Sequence, residues 1–152
     1  IINFLVAISQ RPVTQEASRE ISSLMHMVND LEKVGDYCEN LWEQNERRID
    51  KKAKFSEMAN DEIATLADKT KEFLEFVTTA LEERETGIEK QAHALENGID
   101  DLEDQYRKHH ISRLNTGECA VIPGLIFIDM LHNFEKIGDH THSISRAIVG
   151  KK

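Results

Sequence analysis

The sequence is poor in the residues that interrupt helices. Two prolines and seven glycines are spread over 152 residues, too few to punctuate a chain of many short elements. Aromatics make up 6% and, with the scattered β-branched residues, are too sparse for a large sheet. The only cysteines are Cys38 and Cys119. That excludes a dense disulfide framework and makes a reducing compartment the default. No apolar run approaches the ~20 residues that span a bilayer. The longest candidate, Ala120 to Leu131, contains Pro123, Gly124 and Asp129. No signal peptide is visible. Positive charge is also scarce. A formal net charge of −9 argues against nucleic acid as a partner, because such binding needs a cationic surface to displace counterions. The strongest basic cluster, Arg47, Arg48, Lys51, Lys52 and Lys54, is diluted by Asp50 and reads as a solvated helix end. The acidic balance suits cations or a basic protein surface.

What the chain has in quantity is Glu, Lys, Leu and Ala, the composition of long helices. Ile1 to Ser9 reads as the tail of a helix, ended by Arg11-Pro12. Thr14 is a good N-cap, with Glu16 in the first turn. From there an amphipathic pattern through Ile21, Leu24, Met25, Val28, Leu31, Val34, Cys38, Leu41 and Trp42 runs to about Arg48. Trp42 reads as a core anchor, and Met25, Met27 and Met130 as core fillers. Ser56 caps a second helix to about Glu83. Gly87 marks a break before a third, which runs to about Leu114. Asn115-Thr116-Gly117 is a stop signal. The last helix starts between Cys119 and Pro123 and ends near Gly150. The expected fold is all-α: an antiparallel bundle of four long helices with an N-terminal stub. The chain opens on Ile1 in mid-pattern, so it reads as a fragment of a longer protein, with any membrane-spanning part outside it.

A hidden repeat is the most informative feature. Glu32-Lys33-Val34-Gly35-Asp36 recurs as Glu135-Lys136-Ile137-Gly138-Asp139, at an offset of 103 residues from Glu32 to Glu135. Each copy lies inside a long helix. At about 100° per residue, the Glu and Asp of each copy share one face. In the second copy His132 and His142 join that stripe. Glu96 and Asp100 repeat the Glu-x-x-x-Asp spacing on the preceding helix. Like charges one turn apart destabilise a helix, and a bound cation removes the cost. Convergent carboxylates from neighbouring helices are how bundles hold metal ions. The expected ligands are therefore Glu135, Asp139, Glu96, Asp100, His132 and His142 at one site, and Glu32 with Asp36 at another. The expected cofactor is a divalent or trivalent metal ion: Fe, Zn, Mn or Mg. The competing reading pairs the acids with Lys33 and Lys136 on solvated faces. Gly35 and Gly138 read as places of close helix approach. His109-His110 sits near a helix C-terminus, where the dipole favours a protonated ring.

Asp30-Leu31-Glu32-Lys33-Val34-Gly35-Asp36 and Asn133-Phe134-Glu135-Lys136-Ile137-Gly138-Asp139 resemble the repeated motif of the PhoU family. Ile99 to Leu102, His110 to Leu114 and Gly117 to Cys119 resemble the PhoU-like domain at the cytoplasmic C-terminus of bacterial sodium/phosphate cotransporters. The resemblance implies two three-helix repeats, each ending in a motif helix, with metal held by motif carboxylates in some members. Residues 1–48 would be the remnant of a first repeat and 56–150 a complete second one. The missing helices would be replaced by packing on the second repeat, or borrowed from a second copy in a homodimer.

The resemblance also implies the function: a non-enzymatic regulatory domain controlling sodium-dependent phosphate transport at the cytoplasmic face of the bacterial inner membrane. Its partner would be the membrane part of a phosphate transporter. A freestanding PhoU-type regulator of phosphate uptake and signalling is the nearest alternative. From other classes come a metal-free helical interaction domain and a ferritin-like di-metal enzyme. The enzyme needs Glu-x-x-His pairs on two helices, and only Asp129 with His132 approaches that spacing.

Overall fold

The computed structural model describes residues 1–150. Those residues form five helices and no strand: α1 (Ile2–Ser9), α2 (Gln15–Asp50), α3 (Glu57–Glu83), α4 (Glu89–Asn115) and α5 (Val121–Ile148). The boundaries follow local chemistry. The Thr14 hydroxyl accepts from the Ala17 amide at 3.2 Å, and the Ser56 hydroxyl accepts from the Ala59 amide at the same distance. Each satisfies one of the donors orphaned at a helix start. Arg84 ends α3 in the left-handed region, and Gly117 turns the chain after α4 at φ +77°, where glycine carries no steric penalty. No helix among the described residues is long and apolar enough to cross a membrane.

Helix α5 is the shared member of the assembly. It packs against α2, α3 and α4, while α3 and α4 also pack on each other. Leu66, Phe73, Ile99, Phe127 and Leu131, all at most 1% exposed, fill the space between α3, α4 and α5. Each such side chain contributes about 1.5–3 kcal/mol by leaving water. Across this bundle Arg113 of α4 donates to both oxygens of Glu62 of α3, at 2.7 and 3.1 Å, with both side chains buried. Helix α2 runs antiparallel along the other side of α5. Arg47 lies opposite Asp129, Asp30 opposite His140, and Ser23 opposite Ala147. The short α1 packs on α2.

Four sequence expectations change. Trp42 is 64% exposed and is not a core anchor. Leu24 and Leu31 are exposed as well. The reason is geometric. Helix α2 carries two apolar stripes, about 60° apart at 100° per residue. Met27 and Val34 lie in the stripe on α5, while Leu24, Leu31, Cys38 and Trp42 form the other, uncovered among the described residues. Gly35 lies on that open side, and a Cβ there would meet nothing within 4 Å. Gly138 does mark close approach, since a Cβ would touch Ile99 of α4 at 3.4 Å. His110 is buried against Phe127, and burial, with the Arg113 guanidinium, pushes its pKa below the usual imidazole value. Its ring is held towards neutrality, the reverse of what the helix end alone implies.

Candidate metal centre

The α4–α5 seam gathers the acidic residues of the second repeat copy. One carboxylate oxygen from each of Asp100, Glu135 and Asp139 lies within 4.8 Å of the others. Asp100 Oδ1 is buried without a hydrogen-bond partner. Its pKa is pushed up to about 6, first by burial and then by the charges of Glu96, Asp139 and Glu135, with Lys136 opposing. A solvent cleft of about 430 Å³ adjoins the group, lined by Asp100, Asp101, Arg107, His132, Glu135 and Lys136 among others.

Lys136 occupies the place a cation would take between two of these acids. Its Nζ donates to Asp139 Oδ2 at 2.6 Å and to Glu135 Oε1 at 3.0 Å. Those bonds raise the ammonium pKa, that to Asp139 most, against the opposing effect of burial. The lysine thus compensates Glu135 and Asp139 and leaves the Asp100 oxygen unanswered.

The other expected ligands are placed differently. Glu96 falls into a separate group with His93 and His142. His132 joins neither group; its Nδ1 lies 3.6 Å from Glu135 Oε2, and its side chain is 53% exposed. Glu32 and Asp36 point away from α5 on the open side of α2, both exposed, and Asp36 is paired with Lys33 at 2.8 Å. Among the described residues no helix brings a further carboxylate to them, so the first copy stays an exposed pair. Asp129 contacts Arg47 at 3.7 Å, on the α2 side, and neither Asp129 nor His132 belongs to either ligand group.

Two features escaped the sequence reading. His93 stands three residues before Glu96, a spacing that puts both on one helix face and could have been read. The pairing of Asp30 with His140 and Ser143, at 2.9 and 2.6 Å, depends on which face of α2 meets α5. No local pattern carries that information.

Comparison with known proteins agrees with this architecture. The family model for the PhoU domain matches residues 1–44 and 63–148. Among curated proteins, the chain is similar to the phosphate-specific transport system accessory protein PhoU homolog 1 of Thermotoga maritima, with 22% identity over 131 residues. The match covers 86% of this chain and 56% of the relative, so the chain spans little more than half of that protein's length. No solved structure gives a significant match.

Proposed function

The chain belongs to the PhoU family, and from that premise we propose that it is a regulatory, metal-binding domain controlling sodium-dependent phosphate transport. In this reading it is not an enzyme and docks on the membrane part of a transporter at the cytoplasmic face of the bacterial inner membrane. The relative's name, an accessory protein of a phosphate transport system, supports the physiological context. Residues 1–48 are the end of a first repeat and residues 56–150 a complete second repeat. The two-segment family match supports that division.

One observation carries the metal reading: the buried, unpartnered Asp100 Oδ1 beside Glu135 and Asp139. A polar atom in that position is costly unless something answers its charge. An all-oxygen donor set facing a wet cleft suits Mn, Mg or Fe. Asp100 from α4 would hold the ion with Glu135 and Asp139 from α5, and the ion would supply fixed positive charge between the two helices. It competes with Lys136 for the same two carboxylates. Ion occupancy and the charge presented on this face are therefore coupled, which is what a regulator needs.

Lys136 also favours a second reading, a metal-free interaction domain, because it already compensates two of the three acids. Elemental analysis of protein purified without chelator separates the two. Stoichiometric metal in the parent, and none in a Glu135→Ala/Asp139→Ala variant, supports the metal domain. A Lys136→Met variant is then expected to bind Mn²⁺ at least tenfold more tightly. No metal in the parent, even after addition of Fe, Mn, Zn and Mg, selects the interaction domain. Control of transport has its own test. The Glu135→Ala/Asp139→Ala change, made in the chromosomal gene, should alter sodium-dependent uptake of labelled phosphate. Unchanged uptake rejects that role.

A further inference from the structure

Further along the same seam, towards the start of α4, lies a site of different chemistry. His93 and His142 stack with ring centroids 5.7 Å apart and planes inclined at 28°. The Glu96 carboxylate sits between them. Its Oε2 lies 3.3 Å from His93 Nδ1 and its Oε1 3.3 Å from His142 Nδ1. One ligand atom of each residue lies within 4.8 Å of the others. The Glu96 and His142 side chains are 16% and 22% exposed, while His93 is 62% exposed and closes the group from outside.

Two other His–carboxylate contacts are shorter, 2.7 Å for His109 with Glu62 and 2.9 Å for His140 with Asp30, and His132 with Glu135 is longer at 3.6 Å; each of these carboxylates meets a single imidazole. Here two imidazoles converge on one carboxylate, leaving a gap between three donors. Two imidazole nitrogens and one carboxylate oxygen form a borderline-soft set. Zinc takes such a set with three protein ligands, whereas Mg²⁺ and Ca²⁺ require mostly oxygen. The group also borders a separate cleft of about 470 Å³, lined by Lys90, Ser145 and Arg146 together with the two histidines. A fourth coordination position would open on that cleft.

We propose that His93, Glu96 and His142 form a second metal centre, for a zinc-class divalent ion with one exchangeable position, distinct from the all-carboxylate group of Asp100, Glu135 and Asp139. The proposal stands apart from the metal reading above, since it uses none of those three residues. The two groups neighbour each other on α4, where Glu96 and Asp100 are one turn apart, about 5–6 Å along the axis.

Co²⁺ is the probe, because its visible absorption intensifies in tetrahedral coordination. Titration of chelator-stripped protein should give one equivalent of tetrahedral Co²⁺, displaced by Zn²⁺. In His93→Gln and His142→Gln variants the affinity should drop roughly 10–100-fold or the band vanish. In Glu135→Ala/Asp139→Ala the band should persist. Circular dichroism checks that each variant is folded, and the exposed His93 makes His93→Gln the safer variant. No tetrahedral band in the parent overturns the proposal. So does a band that survives both histidine changes but is lost with Glu135 and Asp139. Binding of Mn²⁺ at the carboxylate group is measured separately, so either site can fail alone.

Discussion

Tyr37 and His140 occupy the same position in the two copies of the repeat, 103 residues apart, and their rings stack at 5.7 Å with planes inclined at 27°. Because α2 and α5 run antiparallel, the copies meet at equivalent residues. The repeat is therefore expressed as a local approximate two-fold relation between its motif helices. Around this point the polar contacts are not symmetric: Asp30 accepts from Ser143 and pairs with His140, while its counterpart in the second copy is Asn133.

Asp30→Ala should destabilise the protein by about 1–3 kcal/mol, the cost of leaving partly buried donors unsatisfied. Combined with His140→Ala, the loss should be smaller than the sum of the two single changes, as for residues in contact. Urea unfolding of the four proteins of the cycle measures this, and strict additivity would remove the seam's polar coupling.

Glu62 is expected to be among the most sensitive polar positions. It is 5% exposed and holds Arg113, itself 7% exposed, whose guanidinium also lies 5.2 Å from the centre of the Phe127 ring. Glu62→Ala strands a buried cation and should cost about 3–5 kcal/mol. Replacing both, as Glu62→Leu/Arg113→Met, should cost less than either single change. Denaturant midpoints decide the order.

The two motif glycines should respond in opposite directions. Gly35 faces open space, so Gly35→Ala should stabilise by about 0.5–1 kcal/mol through helix propensity alone. Gly138 lies against Ile99, so Gly138→Leu overpacks the α4–α5 seam and should cost at least about 1–3 kcal/mol. Thermal midpoints of the two variants test the contrast; loss of stability in both would contradict the open face at Gly35.

The pH dependence contains two opposed contributions. Unfolded His110 protonates near 6.5, but burial, Arg113 and Arg107 hold the folded ring below that, with Glu62 partly opposing. The unfolded state then binds more protons, so stability falls as pH drops through 6.5. Asp100 works the other way. Its folded pKa is about 6 against an ordinary 3.8, so stability falls as pH rises between those values. In metal-free protein, His110→Leu should flatten the acid-side loss, and Asp100→Asn should steepen it. Thermal melts at about pH 5 and about pH 7.5 resolve the two slopes; parallel slopes in all three proteins would rule out both assignments.

Much of the fold is local and so could be read directly. Thr14, Ser56 and Gly117 act over three or four residues, and each marks the boundary it predicts. The second acidic group was partly legible because Asp100, Glu135 and Asp139 each sit one turn from another acid. Its division was not. Spacing alone places Glu96 and Asp100 together, whereas the packing of α4 on α5 gives Glu96 to the histidines and Asp100 to Glu135 and Asp139.

By itself the sequence determined the helices, their ends and the duplicated motif, because capping, propensity and the 3.6-residue period are properties of neighbouring residues. Only the tertiary structure decided which of α2's two apolar stripes is buried. The sequence treats Leu24, Leu31 and Trp42 as equals of Met27 and Val34; α5 covers one stripe and leaves the other open. The same choice separates two identical motif spacings. Glu32 and Asp36 stay in water beside Lys33, whereas Glu135 and Asp139 meet Asp100 where water is partly excluded and Lys136 answers two of the three charges. Burial of a helix face depends on distant partners, and no local pattern specifies it.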